Sequence, residues 1–330
     1  MPVQLKGRSL LTLEDYSREE IRFLLDLAHD LKRKKRAGIQ GDLLRGRNIV
    51  LLFEKASTRT RCAFETACWD EGGNATFLSN SQMGKKESLE DTARVLGRMY
   101  DGVEFRGFEQ QTAVDLARFS GVPVFNGLTD LYHPTQALAD LMTLEEHAGK
   151  PLETCKLAYV GDARNNVANS LMIICAKLGL QYVALCPEEL RPEAGLLQEM
   201  EGEAERSGGS ILITSVASSL IGADAVYTDV WVSMGEEAQF EERIRLLRDY
   251  AVTPEMMAKT GNPRAIFLHC LPAFHDLNTQ VGREVYEKYG LKEMEVSDAV
   301  FRSAQSRVFD QAENRLHTIK AVLVASIGRQ

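Results

Sequence analysis

Short apolar runs alternate with amphipathic segments of helical spacing along most of this chain. A capping box at residues 17–20 opens the first amphipathic helix, and the apolar run at 48–53 has the length of a buried strand. Further strands are predicted at 75–78, 102–106, 122–125, 157–160, 182–186, 210–214, 224–228 and 265–269. Repeated strand and helix units imply parallel sheets covered by helices on both faces.

The alternation is interrupted near the middle of the chain by Gly149, Lys150 and Pro151. Because 330 residues exceed the usual size of a single core, two domains are expected, with the break at this point. We therefore predict an α/β protein with two doubly wound parallel-sheet domains and an active-site cleft between them. A last helix is predicted from about Phe309 to Ile327, and its pattern does not indicate which domain it packs on.

Composition and charge narrow the class of protein. Apolar residues make up 44% of the chain and charged residues 26%, which is typical of soluble globular proteins. No apolar run reaches membrane-spanning length and the N-terminus lacks a signal-peptide core, so a cytoplasmic location is expected. The six cysteines form no metal-ligand pattern with histidine, so we expect reduced thiols and no metal. A net charge of −8 disfavours nucleic acid as a partner.

The segment after the 48–53 strand has the features of an anion site. A helix begins there among the hydroxyls and guanidinium of Ser57, Thr58, Arg59 and Thr60. Backbone N–H groups and the positive end of the helix dipole meet at such a helix start. Cations at this end oppose the dipole unless an anion neutralises them, so a bound phosphate is favoured over an ordinary capped helix.

More polar residues follow the carboxyl ends of other predicted strands, where ligands collect in open parallel sheets. Arg106 ends a strand, and His133 and Gln136 stand three residues apart on one face of a helix start. A lone histidine is more often structural. Beside Arg106 and Thr60, however, this pair favours a polarised carbonyl oxygen as the ligand group.

The segment from Gly161 to Asn166 follows a strand, as a dinucleotide-binding loop would, but it does not have the G-x-G-x-x-G spacing. A nicotinamide cofactor is therefore disfavoured. A simple ion pair between Asp162 and Arg164 is a structural alternative for this segment. Asn166 could equally be the N-cap of the next helix.

Two further motifs of the second half leave alternatives open. Asp229 and Ser233 stand four residues apart in a loop and suit an ammonium group, although a solvated turn would use the same residues. His269 and Cys270 are adjacent at a strand end, so we expect them to face opposite sides and form no nucleophile pair; Cys270 could be an inert buried thiol. Residue chemistry thus predicts an enzyme that binds a phosphorylated, carbonyl-bearing anion in one domain and an amine in the other.

Taken together, these motifs resemble the aspartate/ornithine carbamoyltransferase family, and most closely its ornithine-specific members. The resemblance runs along nearly the whole chain. It rests on the segments FEKASTRTR at 53–61, KES at 86–88, DTARVLGRMYDG at 91–102, HPTQ at 133–136, GDARNN at 161–166, DVWVSMG at 229–235, HCLPAFHD at 269–276 and FDQAENR at 309–315.

The resemblance implies a role for each matching residue. The carbamoyl phosphate site would consist of Ser57, Thr58, Arg59, Thr60, Gln82, Arg106, His133, Gln136, Cys270, Leu271 and Arg315. The ornithine site would consist of Asn166, Asp229, Ser233 and Met234. Arg106, His133 and Cys270 would form the catalytic set. Gln82 would reach the phosphate of a neighbouring subunit, which implies a homotrimer or a multiple of trimers, and no cofactor is implied.

The implied reaction is attack by the neutral δ-amine of L-ornithine on the carbonyl carbon of carbamoyl phosphate, which yields L-citrulline and phosphate without a covalent enzyme intermediate. Cys270 would orient the amine.

Residues 1–148, joined by a C-terminal helix at about 309–330, would bind carbamoyl phosphate, and residues 149–308 would bind ornithine. Arginine metabolism or amino-acid biosynthesis would follow, in a direction left open. The alternatives are a carbamoyltransferase for another amine, such as putrescine or aspartate, and an inactive anion-binding protein of the same fold.

Overall fold

The computed structural model describes residues 3–79, 81–232 and 239–329. Its contacts divide the chain into two compact units, Met1–Met142 with Ala312–Gln330, and Thr143–Gln311. At both junctions between the units the chain is helical, because residues 142 and 143 and residues 311 and 312 lie within continuous helices. Within the described ranges, no helix combines the length and apolar character needed to cross a bilayer.

The first unit alternates strands with helices, as predicted. In chain order its elements are α1 (Arg18–Arg36), β1 (Asn48–Phe53), α2 (Thr58–Asp70), β2 (Asn74–Leu78), α3 (Leu89–Met99), β3 (Gly102–Arg106), α4 (Gln110–Ser120), β4 (Val124–Leu128) and α5 (Pro134–Ala148), which continues into the second unit. Helix α1 begins at the predicted capping box, in which Ser17 and Glu20 each accept a hydrogen bond from the other's backbone N–H.

The sheet of the first unit has the strand order β2-β1-β3-β4, and all its strand pairs are parallel. Val50, Leu52 and Phe105 lie in its buried core. The strand order reverses between β1 and β3, which is the place where open parallel sheets bind ligands. Phe53 pairs with Arg106 there, so the segment after β1 lies beside the end of β3.

The second unit repeats this arrangement. Its elements are β5 (Lys156–Val160), α6 (Asn166–Leu178), β6 (Gln181–Leu185), α7 (Ala194–Ser207), β7 (Ser210–Thr214), β8 (Ala225–Thr228), α8 (Phe240–Leu247), α9 (Pro254–Ala258), β9 (Ile266–His269), α10 (Gln280–Tyr289), α11 (Asp298–Phe301) and α12 (Val308–Ile327), whose later part belongs to the first unit. Short 3-10 helices occur at Leu152–Thr154, Glu188–Leu190, Ala217–Leu220 and Arg248–Tyr250.

The second sheet is also entirely parallel, with the order β7-β6-β5-β8-β9. Its order reverses between β5 and β8. The segments after these two strands therefore lie at the second ligand-binding position that the sheet topology provides. They begin at Gly161 and Asp229, two of the positions where the sequence predicts polar site residues.

The predicted fold class of two doubly wound α/β sheets is confirmed, as is the last helix. The predicted strand at 122–125 is wrong by two residues at its start and three at its end, since β4 spans Val124–Leu128. Pro123 has no N–H for the ladder, although its carbonyl accepts from Val103 N at 2.9 Å. Regular pairing therefore starts only after the proline.

Candidate active site

The first half-site lies where β1 and β3 end, at the start of α2. Ser57 is the N-cap of α2, and its hydroxyl accepts from Thr60 N at 3.2 Å. Ser57 and Arg59 are half-buried and Thr58 is exposed. The first turn of α2 contains no acidic residue, so no carboxylate of its own offsets the positive end of the helix. This geometry suits an anion, as the sequence predicts.

Two guanidiniums converge on the hydroxyl of Thr60. Arg106 Nη1, from the end of β3, donates to Thr60 Oγ1 at 3.2 Å, and Arg315 Nη2, from α12, donates to the same oxygen at 3.0 Å. All three side chains are buried. Because both lone pairs of the hydroxyl then accept hydrogen bonds, its own proton is directed elsewhere and can be donated to a ligand.

His133 and Gln136 lie at the start of α5, near the guanidiniums of Arg106 and Arg315. Thr135 Oγ1 lies 3.4 Å from His133 Nδ1 and accepts from Arg315 Nη2 at 3.5 Å. Burial, and then the fields of three nearby guanidiniums, hold the pKa of His133 well below its ordinary value. The imidazole is therefore neutral at physiological pH.

The amide of Gln136 does not turn toward His133 as a second donor. Its Nε2 donates to Asp140 Oδ1 at 2.7 Å, one helical turn further along α5. Its carbonyl oxygen is buried and has no partner among the described residues. Gln136 is thus arranged as an acceptor for an N–H group, rather than as a donor to an anion.

Gln82 lies in the segment between β2 and α3. Its side chain is exposed, while its backbone carbonyl accepts from Lys85 N and Lys86 N, both at 3.0 Å. Met83 packs against the core of the first sheet and fixes the segment there. The exposed side chain of Gln82 thus lies on a segment that Met83 ties to the first sheet.

A buried carboxyl in this half-site was not predicted from the sequence. Glu104 is 0% exposed, stands two residues before Arg106 on the same face of β3, and makes no hydrogen bond with either carboxyl oxygen inside the described ranges. Burial raises its pKa well above the ordinary value, against the opposing fields of Arg106 and Arg315. The available signal was an acidic residue in the middle of an otherwise apolar strand.

The segment from Gly161 to Asn166, in the second half-site, contains residues that serve the fold rather than a ligand. Asp162 accepts from Arg164 N at 2.9 Å and from its Nε at 3.2 Å, which confirms the ion-pair alternative, and Arg243 pairs with the same carboxylate. The N-cap of α6 is Asn165, whose side chain accepts from Ala168 N at 2.7 Å. The proposal that Asn166 is the cap is therefore wrong, since it is the first residue inside the helix.

Asp229, directly after β8, is the centre of the second half-site. Asn165 Nδ2 donates to Asp229 Oδ2 at 3.3 Å and to the hydroxyl of Tyr159 at 2.7 Å. The other carboxylate oxygen accepts from Val230 N at 2.8 Å and from Cys270 Sγ at 2.9 Å. Burial raises the pKa of Asp229, while the field of His269 and the thiol hydrogen bond oppose that rise. The carboxylate is held in a fixed orientation.

His269 and Cys270 lie closer together than predicted, because β9 ends at His269 and the two are not successive strand residues. A ring nitrogen of His269, the sulfur of Cys270 and a carboxylate oxygen of Asp229 all lie within 4.8 Å of one another. His269 Nδ1 nevertheless accepts from Leu271 N at 2.9 Å, and Nε2 lies 3.2 Å from Glu295 Oε1. Both ring nitrogens are engaged, so His269 is arranged neither as a base for the thiol nor as a metal ligand.

Leu271 follows Cys270 with a φ of 61°, in the left-handed region that residues with a side chain rarely adopt. Such strain persists where the surroundings require it, and it is common at functional sites. Cys270 and Leu271 belong to the second unit, whereas the other predicted carbamoyl phosphate residues belong to the first. Ser233 and Met234, predicted for ornithine, lie outside the described residues.

Comparison with known proteins gives matches to both halves of the chain. Residues 8–146 match the aspartate/ornithine carbamoyltransferase, carbamoyl-P binding domain, and residues 153–326 match the Asp/Orn binding domain of the same family. A relative from Clostridium perfringens named "Ornithine carbamoyltransferase, catabolic" is 59% identical over 331 residues and covers 100% of both chains. One of the same name from Bacillus licheniformis is 59% identical over 329 residues, covering 99% of this chain and 98% of the relative.

Solved structures agree with these matches. The ornithine carbamoyltransferase from Pyrococcus furiosus is 41% identical, with a TM-score of 0.90 and coverage of 99% of both chains. An anabolic ornithine carbamoyltransferase from Campylobacter jejuni is 36% identical, with a TM-score of 0.85 and coverage of 96% of this chain and 97% of that one. The chain therefore belongs to the aspartate/ornithine carbamoyltransferase family.

Proposed function

We propose that this chain transfers the carbamoyl group of carbamoyl phosphate to the δ-amine of L-ornithine, forming L-citrulline and phosphate. The observation that carries the proposal is the convergence of Arg106 and Arg315 on Thr60, at an acid-free helix start and beside a neutral His133. Such a site matches a phosphate that is bonded to a carbonyl group. The 59% identity to proteins named for ornithine supports the choice of acceptor.

In this proposal, the start of α2 holds the phosphate with Ser57, Thr58, Arg59 and Thr60. Gln82 of a neighbouring subunit completes the phosphate site, and the exposure of its side chain supports this role. The charge that develops on the leaving phosphate then meets a cation and the positive end of a helix.

The carbonyl oxygen of the carbamoyl group is placed against Arg106, His133 and the Thr60 hydroxyl. In this proposal the Thr135 hydroxyl donates to His133 Nδ1, 3.4 Å away, and the ring proton is on Nε2, which donates to the carbonyl oxygen. Each donor to a developing oxyanion is commonly worth about 2.7–4 kcal/mol of transition-state stabilisation. The carbonyl oxygen of Gln136 accepts from the carbamoyl NH₂ group, which explains why its amide nitrogen faces Asp140.

The second half-site receives ornithine through Asn166, Asp229, Ser233 and Met234. Asp229 pairs with an ammonium group of the amino acid, and its hydrogen bonds to Asn165 and Cys270 fix its direction. Cys270 and Leu271 act around the reacting group without a covalent intermediate, since His269 is not placed to activate the thiol. Holding two substrates in position is worth roughly 7–11 kcal/mol in favourable cases.

The same proposal assigns residues 1–148 and about 309–330 to carbamoyl phosphate and residues 149–308 to ornithine. The ranges of the two family matches support the division near residue 149, and the grouping of Ala312–Gln330 with the first compact unit supports assigning the last helix to carbamoyl phosphate. We also propose a homotrimer or a multiple of trimers in the cytoplasm. Because the relatives from Clostridium perfringens and Bacillus licheniformis described above carry the word catabolic in their names, we favour a role in arginine breakdown over biosynthesis.

A colorimetric citrulline assay with carbamoyl phosphate tests the reaction. Ornithine should support turnover, and putrescine and aspartate should not. Turnover with another amine in place of ornithine would refute the assigned acceptor, and phosphate binding without turnover on any amine would indicate an inactive anion-binding protein. Arg59→Ala should abolish carbamoyl phosphate binding, whereas Arg61→Ala, which removes a guanidinium paired with Glu65 on the same helix at 2.9 Å, is the matched control.

A further inference from the structure

The proposed reaction gives no role to the buried Glu104. Its strand neighbours are Leu51 on β1 and Phe125 on β4. A Cβ at Gly127 would overlap Glu104 Oε1, so the carboxyl lies directly against the backbone of β4. The oxygen of the same glycine accepts from Arg106 Nη1 at 3.5 Å. The carboxyl therefore lies beneath the guanidinium pair and away from solvent.

The charges that act on Glu104 come from two elements. Arg106 lies on its own strand and Arg315 on α12, and both guanidiniums act on the carboxyl. Arg59, on α2, acts together with them on His133, which is neutral and follows β4. Residues Leu51 and Phe125 are apolar, so β1 and β4 place no charge directly opposite Glu104. An ionised Glu104 is thus offset by Arg106 and Arg315, whose charges also act on an anion bound beside Thr60.

We infer that Glu104 takes up a proton from solvent when a phosphate dianion binds at the start of α2, next to the guanidiniums of Arg106 and Arg315. The inference rests on the proposed carbamoyl phosphate site and deepens it. An ionised carboxyl and a phosphate dianion compete for the same cations, and a buried carboxylate that loses its counter-charge is strongly disfavoured. One proton moves from the buffer to a carboxylate oxygen of Glu104, and no other bond changes.

This linkage has a direction that can be measured. Because the bound dianion favours protonated Glu104, affinity for phosphate falls as pH rises through the range where Glu104 ionises in the free protein. A single linked proton changes the dissociation constant by at most about tenfold per pH unit. Phosphate titrations at a series of pH values measure this fall in affinity directly.

Isothermal titration calorimetry with inorganic phosphate, in two buffers of different ionisation enthalpy, gives the number of protons taken up per phosphate bound. Native protein should take up an additional fraction of a proton, up to one, relative to Glu104→Gln. Phosphate ionises identically in both titrations, so the difference belongs to Glu104. Glu71→Gln is the matched control: it is another buried carboxyl of the first unit with a raised pKa, but Lys320 is its ion-pair partner.

A second measurement needs no variant. The infrared difference spectrum of native protein with and without phosphate should gain the carbonyl stretch of a protonated buried carboxyl. Equal proton uptake by native protein and Glu104→Gln, or a difference spectrum without that band, would overturn the inference while leaving the phosphate site intact. Failure of native protein to bind phosphate at all would instead refute the proposed site, and the inference with it.

Discussion

Replacing Thr60 with valine tests whether one buried hydroxyl joins the two guanidiniums of the first half-site. Valine keeps the shape of threonine but removes the oxygen that accepts from Arg106 at 3.2 Å and from Arg315 at 3.0 Å. Gly127 O and Thr135 Oγ1 also accept from these two guanidiniums, at 3.5 Å, near the limit of hydrogen bonding. The remaining contacts therefore compensate only in part.

The magnitude follows from these contacts. Hydrogen bonds to charged groups contribute about 1.5–3 kcal/mol each, and the guanidiniums keep other contacts, so losing the two bonds that Thr60 accepts should lower the free energy of unfolding by about 2–4 kcal/mol. The variant also loses the hydroxyl proton that we assign to the carbonyl oxygen of the carbamoyl group. Loss of one such donor lowers kcat by about 10²–10³-fold.

Citrulline formation at saturating ornithine and thermal unfolding without ligands measure the two effects. Thr60→Ser is the control, since it loses a methyl group and keeps the hydroxyl, and its kcat should stay within about tenfold of the native value. A Thr60→Val enzyme as active as Thr60→Ser would refute the assigned donor. A variant that changed only the KM for ornithine would place Thr60 outside the carbamoyl phosphate site.

Three further predictions concern other parts of the chain. Gly97→Ala should destabilise the protein by about 1–3 kcal/mol because its Cβ would overlap a backbone carbonyl of α4, whereas Gly202→Ala, in the open middle of α7, should stabilise it by about 0.5–1 kcal/mol in urea unfolding. Burial lowers the pKa of His317 from 6.5 to about 4, so the unfolded chain binds the proton before the folded protein does. The free energy of unfolding should therefore fall by up to about 3 kcal/mol between pH 6.5 and pH 4, and His317→Gln should reduce this pH dependence. Cys270→Ala should raise the KM for ornithine by removing a donor to Asp229, while Cys270→Ser should restore it, and mass spectrometry should find no carbamoylated cysteine in native protein.

The two sheets could be predicted because their signals are local. Each strand is a short apolar run, each helix has its own spacing and stop residue, and the alternation of the two forces parallel pairing. The start of α2 is equally local, since Ser57 and the residues after it are adjacent in sequence. The error at β4 arose because the apolar run begins before Pro123, whereas the hydrogen-bonded ladder cannot. The error at Asn166 arose because two adjacent asparagines compete for one cap position.

The remaining features of the site depend on contacts between distant parts of the sequence. Arg315 lies 255 residues from the Thr60 hydroxyl that it contacts, and no periodicity of α12 indicates that pairing. Glu104 is visible as an acid in an apolar strand, but its isolation from hydrogen bonds depends on what β1 and β4 place beside it. The family resemblance predicted a role for Arg315 and implied none for Glu104.

Two buried lysines, Lys32 and Lys320, make contacts along α12 on either side of Arg315 and hold this part of the helix in place. Lys32 Nζ donates to Asn314 Oδ1 at 2.6 Å, and Lys320 Nζ pairs with Asp70 at 2.7 Å. Buried ion pairs are poor sources of net stability, but they fix one arrangement, because breaking them leaves a charge uncompensated. These contacts hold α12 immediately before Arg315 and about one turn after it, to α1 and to the end of α2. Helix α2, which has the anion site at its start, thus also holds α12, the helix that supplies Arg315, through Asp70 at its end.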